Sequence, residues 1–188
     1  LSLLPNPSQS SSPNKIQAGE HDSPSKMLGD INLFLSSSED SSDEDNDVKR
    51  KTQTIVGELE IMIAPISHRR NGYGRSALLT FLHYISLHLP EIFSEYTPTN
   101  WSGSPIPTPA HLTEGEKKLE LRVKIGQENE KSLALFESLG FKKTTEEVSY
   151  FGEWELKLGD EMGMGWIVEG VGEGYEELEY VEVEENPL

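Results

Sequence analysis

Apolar residues recur along this chain with two periods, and the switch between them sets the order of its elements. In residues 27–35, Ile31, Leu33 and Leu35 fall two apart, so one face is wholly apolar and the stretch reads as a strand. Residues 55–64 read the same way: Leu59, Ile61 and Ile63 face one side, Glu58 and Glu60 the other. Gly57 reads as a bulge or an edge position in that strand, and Pro65 ends its ladder. The period then changes. Leu78, Leu79, Leu82, Ile85 and Leu89 keep helical spacing over residues 76–89, and Pro90 stops the run. Residues 119–125 alternate most cleanly, with Leu119, Leu121, Val123 and Ile125 set against Glu120, Arg122 and Lys124. Asn129 opens a helix through residue 139, with Leu133, Phe136 and Leu139 on one face and Gly140 as its C-terminal stop. Residues 141–145 and 148–158 read as two further strands. This order predicts an α/β (α+β) domain with a mixed sheet.

The segments without a period change the picture of the domain. Residues 1–26 are rich in Ser, Pro, Asn and Lys and read as disordered or loop. The domain then occupies residues 27–158, with insertions at 36–54 and 94–118; the second contains four prolines. Residues 159–188 form an acidic tail. Of the formal charge of −17, six acids in residues 36–47 and ten in 159–188, with no base among them, account for all but about −1. The domain itself is thus nearly neutral, and its appendages are acidic. Such a charge disfavours nucleic acid as a partner, because phosphate backbones repel it. No apolar run approaches the roughly 18 residues of a membrane span. No secretory signal is visible at the start. With no cysteine, thiolate chemistry and disulfides are excluded, and no metal site is assigned. A cytoplasmic location, or a nuclear one, is the default expectation.

Candidate chemistry concentrates in residues 68–79, where a basic, glycine-containing loop lies between a strand and a helix. A helix N-terminus presents backbone N–H groups and a dipole that favours an anion. Gly72 and Gly74 let the chain turn and let a phosphate approach the backbone. Arg69, Arg70 and Arg75 add charge that pairs with phosphate. A phosphate-bearing ligand on residues 69–75 is therefore the first reading. Gly72, Gly74 and Ala77 also fit a Gly-x-Gly-x-x-Ala dinucleotide fingerprint, with Glu95 about 20 residues on. Glu95 does not end a second apolar strand, however, and six residues, Pro65 included, separate Ile63 from Arg70.

Arg69-Arg70-Asn71-Gly72-Tyr73-Gly74 resembles the Arg/Gln-x-x-Gly-x-Gly/Ala loop of the GNAT superfamily of N-acetyltransferases. Asn129, Ser132, Phe136 and the pair Gly140-Phe141 are similar to that family's next segment, in which Asn opens a helix ending at Gly-Phe. Residues 27–35, 57–64 and 124–129 resemble the N-acetyltransferase 9-like branch more closely. The resemblance implies acetyl-CoA as co-substrate, with its pyrophosphate on the backbone of Arg70, Asn71, Gly72, Tyr73, Gly74 and Arg75 and the helix starting near Arg75. It implies that pantetheine lies between splayed strands at 58–64 and 119–125, on the side of Asn129, Ser132 and Phe136. Asn129 also reads as an ordinary N-cap.

The chemistry implied is direct transfer from the thioester to a neutral amine of a protein or peptide, at an N-terminus or a lysine. Glu58 and Glu60 are the candidate bases. Backbone N–H groups near Ile63 would polarise the thioester carbonyl. Two departures from the family stand out. Phe136 occupies a position where many relatives place the Tyr that protonates the departing thiolate; either Tyr150 or water does so instead, or the thiolate leaves unassisted, or activity is low. The family's first strand, first two helices and second strand have no counterpart here, and much of the acceptor side goes with them. The alternative expectation is therefore a truncated GNAT-fold binding or regulatory module with weak activity or none.

Overall fold

The computed structural model describes residues 15–19, 22–37, 53–96, 117–159, 171 and 175–182. They form seven strands and three α-helices: β1 (Lys15–Gln17), β2 (Gly29–Ser37), β3 (Gln53–Ile63), α1 (Tyr73–Leu87), α2 (Leu89–Glu95), β4 (Lys117–Gly126), α3 (Glu130–Glu137), β5 (Phe141–Lys143), β6 (Glu153–Leu158) and β7 (Glu179–Val181). The alternating segments form a five-stranded mixed sheet in the order β2-β3-β4-β6-β5, and β1 and β7 form a separate pair. The chain divides into two units. One takes Leu1–Ile31, Ile61–His83 and Ile167–Leu188; the other takes Asn32–Glu60 and Tyr84–Trp166.

In the second unit, β3 runs parallel to β4, in register from Gln53 opposite Lys117 to Glu58 opposite Arg122. The ladder stops there. β4 continues to Gly126, paired with β6 through an antiparallel register from Arg122–Lys157 to Gly126–Glu153. β5 then pairs antiparallel with β6 at the edge. Because strand residues alternate faces, Leu121, Val123 and Ile125 are buried on one side. α3 contributes Leu133 and Phe136 to the core, and the Phe136 ring meets Phe141 edge-on at 5.2 Å. Each such side chain contributes roughly 1.5–3 kcal/mol by leaving water. The opposite residues of β4 build a charged face: Lys124 Nζ lies 2.9 Å from Glu58, Arg122 bridges Glu58 and Glu155, and Lys157 pairs with Glu120 at 2.8 Å.

Gly57 is neither at a bulge nor at an edge. It pairs with Leu121 inside the ladder, on a strand flanked by β2 and β4. A Cβ there would come within 2.8 Å of Leu33 and 3.0 Å of Leu121, so the missing side chain is the room these leucines fill. Pro90 does not end helical structure either. α1 closes at Leu87, and Pro90 takes the first turn of α2, where its missing N–H costs nothing. Residues 148–152, read as strand, are a turn: the Gly152 N–H donates to Ser149 O, and Gly152 sits at φ 72°.

In the first unit, Lys15–Gln17 pairs in parallel with Glu179–Val181, inside stretches that the pattern reads as loop and unassigned tail. Three-residue strands whose partner lies far along the chain leave no period to detect. The Lys15–Glu179 ion pair at 2.7 Å and the Tyr180 hydroxyl donating to Asp22 at 2.6 Å join the two ends. That hydrogen bond also holds the Tyr180 phenol above its ordinary range. α1 buries Ala77, Leu78 and Leu82 here, and His83 meets Tyr175 edge-on at 4.5 Å. The insertion at 94–118 is described only at its margins, and residues 1–14, 38–52 and 183–188 lie outside the described residues. Among the described residues, no helix is long and apolar enough to cross a membrane.

Gly57 supplies the test of this packing. Gly57→Leu is expected to lower stability by about 1–3 kcal/mol through overpacking, and Gly57→Ala by less, because leucine methyls can give way. Urea midpoints at constant m-value measure both.

Candidate functional site

The loop between β3 and α1 is held by its own polar groups. β3 ends at Ile63, and Pro65 leads into a 3-10 turn, Ile66–His68. The Arg69 guanidinium folds back on the strand end: Nε donates to Ile63 O at 2.7 Å and Nη2 to Ala64 O at 3.2 Å. Arg69 therefore fixes the loop. Asn71 Nδ2 donates to Ser67 O at 3.2 Å, which closes the turn from within. Ala64 N–H donates to Leu28 O, anchoring the loop's root to the residue before β2.

The backbone then bends through two left-handed residues, Arg70 at φ 67° and Gly72 at φ 87°. Nothing crowds a Cβ at Gly72, so its glycine answers to φ and not to space. α1 begins at Tyr73, three residues earlier than its apolar period suggests, so Gly74 and Arg75 lie in its first turn. The first intrahelical bond runs from Ser76 N–H to Gly72 O at 3.0 Å. The N–H groups ahead of it, those of Tyr73 and Gly74 among them, have no acceptor within the helix. No acidic residue occupies this first turn, and Arg70 is exposed beside it. The arrangement suits an anion: a positive dipole end, N–H donors and a cation, with no carboxylate in competition.

In the second unit, Glu58 and Glu60 project from the same side of β3 but differ in surroundings. Glu58 is half-buried and held by Lys124 at 2.9 Å and Arg122 at 3.4 Å. Glu60 is exposed and, among the described residues, joins no ion pair. Both lie where the β3–β4 ladder gives out, so β4 past Arg122 presents main-chain groups on that side outside any ladder.

Asn129 caps α3. Its side chain accepts from the Ser132 N–H at 3.2 Å, and its own N–H donates to Gly126 O. It borders an open concavity of about 530 Å³ formed by residues 126–131 with Phe151 and Gly152. Phe136, from the same helix, is 3% exposed and faces the core. Tyr150 is 98% exposed at the turn before β6, its ring against Phe151 at 5.5 Å. Arg122, Lys124 and Glu155, to which the sequence assigns no role, form one ion-pair group with Glu58. Their signal lies in the alternation of β4, which puts its cations on the same face as Glu58. Among the described residues, no group of His, Asp or Glu could hold a metal ion.

No family model matches the chain. It is 33% identical over 143 residues to an N-acetyltransferase 9-like protein of Schizosaccharomyces pombe, a match covering 70% of this chain and 56% of that protein. It is also 33% identical over 144 residues to the alpha/beta-tubulin-N-acetyltransferase 9 of Mus musculus, covering 76% of this chain and 43% of that protein. The chain spans about half the length of the curated relatives it matches. A solved structure, Arabidopsis thaliana NAA60 in complex with a bisubstrate analogue, covers 75% of this chain and 67% of its own at a TM-score of 0.41 and 8% identity, a likeness too loose to bear weight.

The cap at Asn129 has a direct check. Asn129→Ala is expected to cost about 1 kcal/mol of stability, whereas Asn129→Asp, which keeps an acceptor, costs little. Chemical denaturation without ligand reads the structural part of this residue's role.

Proposed function

We propose, since the chain belongs to the N-acetyltransferase 9-like branch of the GNAT superfamily, that it binds acetyl-CoA and passes its acetyl group to an amine of a protein. The observation that carries this reading is the loop. Arg69 is stapled to the end of β3, left-handed backbone follows at Arg70 and Gly72, and a helix N-terminus free of acids begins at Tyr73. These residues fit a pyrophosphate: the N–H groups at the start of α1 would donate to its oxygens, and Arg70 and Arg75 would neutralise its charge. In the second unit, the main-chain groups of β4 past Arg122, left outside the β3–β4 ladder, would suit the amide groups of a pantetheine arm. The name of the mouse relative refers to tubulin, which favours a protein acceptor over a small amine.

In this reading the neutral amine attacks the thioester carbonyl carbon; a C–N bond forms and the C–S bond breaks. The amine's proton passes to a base, and the thiolate takes up a proton. Glu60 suits the first role better than Glu58, whose carboxylate already faces two cations. Tyr150 has an exposed hydroxyl for the second.

A specific observation favours the second reading, a binding or regulatory module. Phe136 is buried where the family's acid would stand, and Tyr150 is at a turn tip with no enclosure around its hydroxyl. A module of this kind binds acetyl-CoA without turning it over.

Thermal shift separates these possibilities first. Acetyl-CoA at about 100 times its Kd should stabilise the protein by about 2.7 kcal/mol, NADH should not, and Gly74→Glu should abolish the effect. No shift with acetyl-CoA, or an equal shift in Gly74→Glu, rejects the assignment of the loop. Given binding, CoA release with a peptide panel decides activity. Glu60→Gln is expected to slow release by about 10²–10⁴-fold while keeping the thermal shift. Binding without CoA release supports the module.

A further inference from the structure

In the first unit, the β1–β7 pair gives one tyrosine a position that acetyl transfer does not use. Ile16 stands opposite Tyr180 in the parallel register, between Lys15 opposite Glu179 and Gln17 opposite Val181. Neighbouring strand residues face opposite sides, so the Lys15–Glu179 ion pair lies on one face and the Tyr180 side chain on the other. The Tyr180 hydroxyl donates to Asp22 Oδ2 at 2.6 Å, and the Gly19 N–H donates to Oδ1 of the same carboxylate. Asp22 thus ties the bend after β1 to β7 through a single phenol.

The sequence around this phenol is strongly patterned. Acids stand one, three and four residues before it (Glu179, Glu177 and Glu176) and two after it (Glu182), with Val181 next. Kinases choose among substrates by charge patterns of this kind, read along an extended segment. Tyr150 also has acids nearby, Glu146, Glu147 and Glu153. It stands in a turn closed by the Gly152 N–H on Ser149 O, however, and Tyr73 and Tyr84 are helical. Tyr180 is on extended backbone and 52% exposed. A ladder of three residues opens locally at low cost, so a hydroxyl bonded to Asp22 can still be reached.

We propose that Tyr180 is a phosphorylation site for an acid-directed tyrosine kinase, and that phosphate there releases the β1–β7 pair. The Tyr180 oxygen attacks the γ-phosphorus of ATP. An O–P bond forms, the bond from that phosphorus to the bridging oxygen breaks, ADP leaves, and the phenolic proton goes to the kinase's base. The product has no hydrogen to give Asp22 and carries a charge of about −1.5 to −2. The bond to Asp22 and the nearby charges of Asp22 and Glu182 already hold this phenol above its ordinary range, so the phosphate enters a negative field. Repulsion then replaces the bond that closed the clasp. Lys15 is on the other face, 2.7 Å from Glu179. Tyr175 remains against His83 of α1, which confines the opening to the clasp. The proposal is independent of acetyl transfer.

The test incubates the full chain with ATP and a recombinant acid-directed tyrosine kinase and maps the phosphate by mass spectrometry. Phosphate should enter Tyr180 at least tenfold faster than Tyr150, and Tyr180→Phe should remove that signal. Hydrogen exchange reads the opening. The Ala18 amide, which donates to Val181 O, should exchange at least tenfold faster after phosphorylation, while the Ser76 amide of α1 is unchanged. Asp22→Asn keeps an acceptor and removes the charge, so phosphorylation should accelerate its Ala18 amide by less. Protein isolated from its native cells with vanadate should carry phosphate on Tyr180. Labelling that favours Tyr150, or native protein without phosphate on Tyr180, overturns the site. Phosphate on Tyr180 with Ala18 exchange unchanged, or accelerated equally in Asp22→Asn, overturns the release by repulsion.

Discussion

Parallel pairing between β3 and β4 stops at Glu58 and Arg122, and that stop sets which main-chain groups of the second unit are left outside the ladder. A ladder carried further would consume the main-chain groups of β4 from Val123 onward. Ended there, it leaves them beside Glu58 and Glu60, and it leaves Asn129 at the start of α3 with a side chain that caps one donor. The charged face helps to hold the junction, since Lys124 and Arg122 reach from β4 to Glu58 on β3. These ion pairs are half-exposed, so their worth is modest individually; their effect is to fix which way the strand ends face.

The loop obeys a different constraint, the left-handed backbone at Arg70 and Gly72. Arginine tolerates that conformation poorly, and the two guanidinium bonds of its neighbour Arg69 to Ile63 and Ala64 help to hold the turn that contains it. The same turn starts α1 at Tyr73. A helix terminus with N–H groups unpaired within the helix and no acid in its first turn is thus produced by a strained turn and one arginine.

The alternation of β4 and the run from Asn129 to Gly140 could be read from the sequence because each buries one face over a local period. Asn129 caps, Leu133 and Phe136 pack, and Gly140 closes the helix at φ 88°. The loop was legible for the same reason, as glycine and arginine between two periodic segments. What escaped was structure without a local signature. The β1–β7 pair joins residues far apart, Pro90 looks like a terminator and is a helix start, and Gly57 looks like a weak point where it makes room for three leucines. The unequal surroundings of Glu58 and Glu60 escaped too, because the deciding cations come from the neighbouring strand. α1 begins before its apolar period does, since its first turn, Tyr73 to Ser76, buries no apolar side chain.

Hydrogen exchange at single-residue resolution, with and without acetyl-CoA, tests the central claim most directly. Saturating acetyl-CoA should slow exchange at the amides of Gly72, Tyr73 and Gly74, which have no acceptor within α1, and should do so in the wild type but not in Gly74→Glu. Unchanged exchange at these amides, under conditions where acetyl-CoA demonstrably binds, would contradict the assignment of this helix terminus as the seat of the pyrophosphate.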